Sequence, residues 1–255
     1  MPNVGKSTLF KALTGKDVPV DNFPYTTTQS ERAIVEIPDS SLWKLSELEK
    51  PQKTTPNHIE FIDIAGLAAG ASKGEGLGNS FLDTIRHSDA IVHIVRCFDD
   101  DNIIHVHNRI DPVSDKEEVD FELLMKDLET VEKSLERNRK AAKSGDKQII
   151  KLVDLLERIK EHLEKGGFIR QMELSPEEQK QIKSYSFLTA KKVLYVANVK
   201  DENELTGNLY TRQLEEIVSK ENASMLILNA KLEAEICDIT DEEEKKAFMQ
   251  MYNLT

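Results

Sequence analysis

The sequence predicts an α/β fold: a doubly wound, mainly parallel sheet interrupted by an inserted α-helical hairpin. Three observations carry that expectation. Strand-sized apolar runs alternate with amphipathic helical spacings along most of the chain, the pattern of a sheet with helices on both faces. Between about Asp115 and Ser184 this alternation stops, and apolar residues recur at steps of three and four. A Gly5-Lys6-Ser7 triplet stands at the start of the first helical spacing, where free backbone N–H groups attract an anion.

Leu9, Phe10 and Leu13 define that first helix. A turn-rich stretch, "KDVPVDNFPYTTTQ", leads to the strands "RAIVEIP" and "HIEFIDIAG". A glycine-rich loop, a short helix at "SFLDTIRH" and the buried strand "AIVHIVRCF" follow. Within the interruption, Leu124, Leu128, Val131 and Leu135 form one apolar stripe, and Ile149, Leu152, Leu156, Ile159 and Leu163 a second. Ser144-Gly145-Asp146 separates them, so the two stripes predict an antiparallel coiled-coil hairpin. The α/β pattern then resumes with "KVLYVANV", the helix "YTRQLEEIVSKE", the strand "SMLILNA" and a helical "DEEEKKAFMQMY". Residues 1–115 and 185–255 are therefore expected to form one discontinuous domain, with 116–184 inserted.

The 255 residues suffice for a sizeable core, and 39% of them are apolar. A net charge of -12 gives no bulk attraction to nucleic acid, which excludes a general DNA binder and restricts any RNA contact to a local patch. Such a patch exists at the hairpin turn. Between Lys133 and Lys151, seven basic residues (Lys133, Arg137, Arg139, Lys140, Lys143, Lys147, Lys151) stand against Glu136 and Asp146. A solvated helix face is the plain explanation; its place at a hairpin end makes Arg137, Arg139, Lys140, Lys143 and Lys147 candidate RNA contacts. Cys97 and Cys237 fit no metal spacing, and the apolar runs are too short to span a bilayer, so a cytoplasmic monomer is expected.

Function enters through paired motifs. In a phosphate-binding loop, backbone N–H groups and a helix N-terminus surround the anion, the lysine meets the terminal phosphates and the serine binds Mg²⁺. Asn3, Val4, Gly5, Lys6, Ser7 and Thr8 supply the second half of such a loop, with Lys6 as its catalytic cation. Alone, the triplet is weak. The strand "IEFIDIAGL" adds Asp63 and Gly66 in D-x-x-G spacing, where the carboxylate reaches Mg²⁺ through water and the glycine amide meets the γ-phosphate. Between them, Thr27 is the switch threonine expected on Mg²⁺, with Thr26 or Thr28 as alternatives. Together these predict a P-loop nucleoside triphosphatase (G domain). A base-reading motif follows at Asn198, Val199, Lys200 and Asp201, which compares with the N-K-x-D of GTPases except that valine holds the lysine position. Ala230 and Lys231, in "LNAK", match the loop whose backbone meets the base. ATP and GTP both remain open as ligands.

The combination of "PNVGKSTLF", "NFPYTT", "DIAGLAAGASKGEGLGNSFL", "VRCFDDDNIIHV" and "FLTAKKVLYVANV" resembles the Obg-like ATPase (YchF) family of translation-factor-class P-loop GTPases along nearly the whole chain. The resemblance implies a G domain interrupted by a coiled coil, a C-terminal TGS domain, and a nucleotide hydrolase associated with ribosomes. It also implies binding of ATP as well as GTP through an N-x-x-E motif. Asp201 departs from that glutamate, and "NAK" is similar to the GTPase S-A-K. The first loop glycine and the strand before it are expected just ahead of Met1, that strand central in the sheet. The TGS domain is expected beyond Thr255, and a polypeptide limited to 1–255 is expected to be unstable.

For hydrolysis, the residue after D-x-x-G is Leu67, which offers no hydrogen bond to an attacking water. His105, beyond the strand "AIVHIVRCF" and so on the ligand-binding edge of the sheet, is a candidate to orient or deprotonate that water, against the alternative of a histidine that only packs. Asn3 is a candidate holder of K⁺ beside the phosphates. Two functions fit. One is a slow Mg²⁺-dependent switch hydrolysing ATP or GTP on ribosomes. The other is a nucleotide-gated RNA-binding module with negligible hydrolysis.

Overall fold

The computed structural model describes residues 1–15, 31–64, 77–107, 109–221 and 223–252. Helix α1 (Lys6–Thr14) precedes an antiparallel pair, β1 (Glu31–Glu36) and β2 (His58–Asp63). Helix α3 (Leu77–His87) leads into β3 (Ala90–Arg96), which pairs in parallel with β4 (Lys192–Asn198), itself parallel to β5 (Ser224–Leu228). Alternation along β3, β4 and β5 explains why both faces are covered. Ile94, Val196 and Leu228 face a core with Leu9 of α1, Leu82 and Ile85 of α3, and Leu123. Val95, Tyr195 and Ala197 face a second core with Leu214 and Val218 of α7 (Leu209–Val218). The strands expected from apolar runs are all present, each ending one to three residues earlier than its run. Among the described residues the strands pair in two sets, β1-β2 and β3-β4-β5.

Helix α2 (Ser40–Glu49) was not foreshadowed by an apolar stripe, because it has none to bury: Trp43 is half exposed and Leu48 is exposed. Its start is local chemistry, Asp39 accepting from the N–H groups of Ser41 and Leu42 at 2.9 and 3.1 Å.

The hairpin consists of α4 (Pro112–Ala142) and α5 (Lys147–Glu164), turning where the sequence placed it. Gly145 adopts φ 81°, and the Asp146 carboxylate caps α5 by accepting from Gln148 N–H at 2.8 Å. Val131, Leu135, Leu156, Ile159 and Leu163 fill its core, which also takes in Leu155, Ile169, Phe187 and Ile182 of α6 (Pro176–Ile182). Helix α4 runs without a break through position 116, and Val119 and Leu123 belong to the α/β core. The base is tied down by buried polar groups. The Asp127 carboxylate accepts from Leu188 N–H at 2.9 Å and from the N–H and hydroxyl of Thr189, each at 2.7 Å. Buried Lys116 bonds Asp120 at 2.5 Å and Glu221, which also accepts from Arg170 at 3.0 Å. Burial pushes the Asp120 carboxyl above its usual range, Lys116 opposing.

Two further helices, α8 (Ala230–Asp238) and α9 (Glu242–Met251), follow β5, and α8 packs along α1. No described helix is long and apolar enough to cross a membrane.

Candidate functional site

The carboxyl ends of β2 and β4 meet the loop before α1. Asp63, the last residue of β2, is 2% exposed. Its Oδ1 accepts from Lys6 Nζ at 2.5 Å and its Oδ2 from Ser7 Oγ at 2.9 Å, across separations of 57 and 56 residues. A buried carboxylate bound by a cation and a hydroxyl avoids the desolvation cost of an isolated charge. Gly5 begins α1 with φ 94°. A Cβ there would lie 2.3 Å from Asn198 Nδ2, so both backbone angle and space demand glycine.

Asn198 is the second anchor. Its Nδ2 donates to Val4 O and its Oδ1 accepts from Ala230 N–H, both at 2.9 Å, joining the loop before α1 to the loop before α8. Its amide is spent on backbone, and it positions the two loops. Asn229, which sequence reasoning passed over, caps α8 through Lys231 and Leu232 N–H at 3.0 Å and donates to Lys200 O at 2.8 Å. Its signal was an asparagine directly before the helical "AKLEAEI". The Asp201 carboxylate is exposed and accepts from Asn203 N–H at 3.0 Å and Nδ2 at 2.7 Å; these bonds hold it below the usual carboxylate range. Lys231 projects into solvent. Val199 corrects one expectation: its side chain is 1% exposed and packs with Cys97 and Leu214, because the strand alternation turns it into the core.

Comparison with known proteins follows this geometry closely. The family described as "50S ribosome-binding GTPase" matches residues 1–231. The chain is 46% identical over 254 residues to the ribosome-binding ATPase YchF of Escherichia coli O157:H7, spanning 100% of this chain and 69% of that protein. It is 45% identical over 252 residues to the ribosome-binding ATPase YchF of Bacillus subtilis (strain 168), spanning 98% and 69%. The solved YchF GTPase of Schizosaccharomyces pombe matches with a TM-score of 0.81 at 36% identity, over 100% of this chain and 70% of that chain. The chain belongs to the YchF family.

The YchF fold is thus a P-loop nucleotide hydrolase fold, and the expected G domain stands. Other expected site residues divide into three groups. Thr27, Gly66 and Leu67 lie outside the described residues. Asn3 adopts φ 56° and donates from Nδ2 to Ile104 O at 3.1 Å, linking the phosphate loop to the segment after β3; Thr8 lies in the first turn of α1.

His105 is the third case. It is 6% exposed, its Nε2 bonds Asp115 Oδ2 at 2.8 Å, and its Nδ1 accepts from His107 N–H at 3.2 Å. With Nδ1 accepting, the proton sits on Nε2 and is donated to Asp115. Burial raises the Asp115 carboxyl above its usual range while His105 pulls it back. Both ring nitrogens are thus engaged within the protein, and the segment carrying the ring is folded around it.

At the hairpin turn, Arg139 bonds Glu157 at 2.8 Å and Lys140 bonds Glu136 at 2.8 Å, both exposed. Arg137, Lys143 and Lys147 are also exposed, with no carboxylate partner among the described residues. For Mg²⁺, the donors fit: Ser7 and Asp63 offer hard oxygens side by side, and a magnesium site needs only one or two carboxylates when phosphates complete it.

Proposed function

We propose that this chain is a Mg²⁺-dependent purine nucleoside triphosphatase of slow intrinsic turnover that acts as a switch on ribosomes. The convergence of Lys6 and Ser7 on buried Asp63 carries this reading. It sets the lysine ammonium and the serine hydroxyl on one carboxylate at the N-terminus of a helix. On binding, Lys6 exchanges Asp63 for the β- and γ-phosphates, and the N–H groups at the start of α1 surround the anion. Ser7 and Asp63, with Thr27, would hold Mg²⁺, which offsets charge developing on the phosphates. Asn198 sets the distance between the phosphate and base loops, and Asp201 with the Ala230-Lys231 loop faces the base. Asn3 would hold K⁺, and equal hydrolysis in Na⁺ and K⁺ would remove that part.

Slow turnover is expected from the sequence after D-x-x-G and from the bonding of His105. Leu67 has no polar atom, and His105 is bonded at both nitrogens. His105 is therefore a positioning residue for the segment that holds Asn3, and His105→Ala should raise KM or lower stability more than it changes the pH profile of kcat. The division of labour assigns residues 1–115 and 185–255 to the nucleotide and 116–184 to the ribosome, through Arg137, Arg139, Lys140, Lys143 and Lys147 on rRNA. A monomer in the cytoplasm suffices for this role.

A second reading, a nucleotide-gated RNA-binding module with incidental hydrolysis, is favoured by the same Leu67 and the same exposed basic turn. Single-turnover ATP and GTP hydrolysis with and without ribosomes separates the two. Stimulation supports the switch; nucleotide-dependent binding without stimulation supports the module.

A further inference from the structure

Arg96, the last residue of β3, is a buried cation outside the Lys6, Ser7 and Asp63 cluster. It is 1% exposed, and its guanidinium bonds backbone: Nε–H donates to Phe98 O at 3.0 Å, one terminal nitrogen to Ile103 O at 3.0 Å and the other to Asp100 O at 3.1 Å. The loop after β3 is therefore wrapped on one planar fork, which sets the direction of three carbonyls at once.

What the loop carries outward is a carboxylate. Asn102 fixes it on one side, its backbone N–H and Nδ2 donating to Asp100 Oδ1 at 2.9 and 3.1 Å, and Asp100 Oδ2 meets Lys200 Nζ at 3.0 Å. Lys200 directly precedes Asp201, the carboxylate assigned to the base. All of its polar groups are engaged: its N–H donates to Glu204 Oε2 at 3.2 Å and its C=O accepts from Asn229 Nδ2 at 2.8 Å. Asn208, the N-cap of α7, closes the circuit, with Nδ2 donating to Cys97 O at 2.8 Å and to Glu204 Oε1 at 3.1 Å. The loop after β3 and the Asn198–Asp201 tetrad are thus cross-linked at Cys97 and at Asp100, on either side of the first carbonyl that Arg96 holds. Linked polar groups of this kind hold one another in place.

We propose that Arg96 is a positioning residue for base recognition. It fixes the carbonyls of the loop after β3, the loop aims Asp100 at Lys200, and Lys200 with Glu204 fixes the backbone that carries Asp201. The inference rests on the proposed base-reading role of Asp201. It concerns the nucleoside end of the ligand: the bond from this loop to the phosphate loop, Asn3 Nδ2 to Ile104 O at 3.1 Å, lies past the last carbonyl that Arg96 holds. Lysine at position 96 would keep the charge but could not hold three carbonyls in one plane.

Calorimetric titration of the full chain with ATP, GTP and tripolyphosphate, each in Mg²⁺, separates the base side from the phosphate side. Arg96→Lys should weaken both nucleotides by about tenfold, with tripolyphosphate within about twofold of wild type. Lys200→Met removes an exposed ammonium and should weaken the nucleotides by about threefold with the same selectivity. The double variant should lose less than the product of the two, because both act through one loop. A fall in tripolyphosphate affinity that matches the fall for nucleotides would make Arg96 a general stabiliser and overturn the proposal. Unchanged nucleotide affinity in both variants, or losses that multiply in full, would overturn it too. If Arg96→Lys does not fold, Lys200→Met and Asp100→Asn decide by the same ratio of nucleotide to tripolyphosphate affinity. Wild type that binds nucleotides no tighter than tripolyphosphate would sink the base-reading role of Asp201 and this proposal with it. Wild type that prefers nucleotides, with every variant keeping that preference, would sink this proposal alone.

Discussion

The phosphate loop and the hairpin turn are both rich in charge, yet they hold it in opposite ways. Around Asp63 and Asn198, partners far apart in sequence, Lys6 with Asp63 and Val4 with Asn198 among them, are joined through groups 2% and 4% exposed. At the turn, Lys140–Glu136 is an i,i+4 pair and Arg139–Glu157 bridges two helices, and all four side chains are open to water. Buried groups lose heavily when a partner is removed, whereas exposed pairs contribute about 0–1 kcal/mol. The loop is thus built to keep one geometry. The turn holds its charge in exposed pairs that cost little to break.

The largest break in this contrast is Gly5→Ala. With φ at 94° and Asn198 Nδ2 2.3 Å from the added methyl, the loop must move; a loss of about 1–3 kcal/mol is expected in urea melts, with nucleotide affinity lost alongside. Asn198→Ala comes next. It leaves Val4 O and Ala230 N–H without partners, at about 1–3 kcal/mol, and calorimetric titration should show weakened ATP and GTP binding although Asn198 touches only backbone.

A titration sharpens the comparison within the core. His93, packed on Tyr195 at 5.3 Å between ring centroids, is pushed down to about 3 by burial, with nearby positive charge adding to it. The unfolded chain takes up that proton near pH 6.5 and the folded chain does not until near pH 3. Stability should therefore be unaffected above pH 6.5 and fall as pH drops toward 3, at about 1.4 kcal/mol per pH unit at most. His93→Gln should flatten this part of the profile in urea melts at pH 7 and 4.5. A parallel decline in both proteins would assign the acid sensitivity elsewhere.

The smallest effect on stability is expected at the turn. Replacing Arg137, Lys143 and Lys147 together by Glu should shift the melt by less than about 1 kcal/mol. Ribosome co-sedimentation should nevertheless weaken, and for wild type it should weaken with added salt.

What the sequence disclosed follows the same division. That Lys6 and Ser7 meet Asp63, with Asn198 beside Val4, was legible because each sits at a strand end or helix start. The hairpin was legible because two leucine-rich stripes flank Gly145. The burial of His105 was not legible, since its strand-edge place suggested solvent while Asp115, ten residues on, bonds its ring. The burial of the Val199 side chain followed strand alternation rather than motif alignment. Lys116 with Asp120 and Glu221 was invisible: the i,i+4 spacing reads as a solvated helix face, and only packing reveals that it is buried. Helix α2 carried no apolar stripe to read.

Single-turnover hydrolysis of ATP and GTP in Mg²⁺, for wild type, Lys6→Ala and the triple Glu variant of the turn, tests the central claim most directly. Slow phosphate release that Lys6→Ala abolishes and the turn variant leaves intact is the expected result. Release that survives Lys6→Ala, or that depends on the turn residues in the absence of ribosomes, would contradict the account.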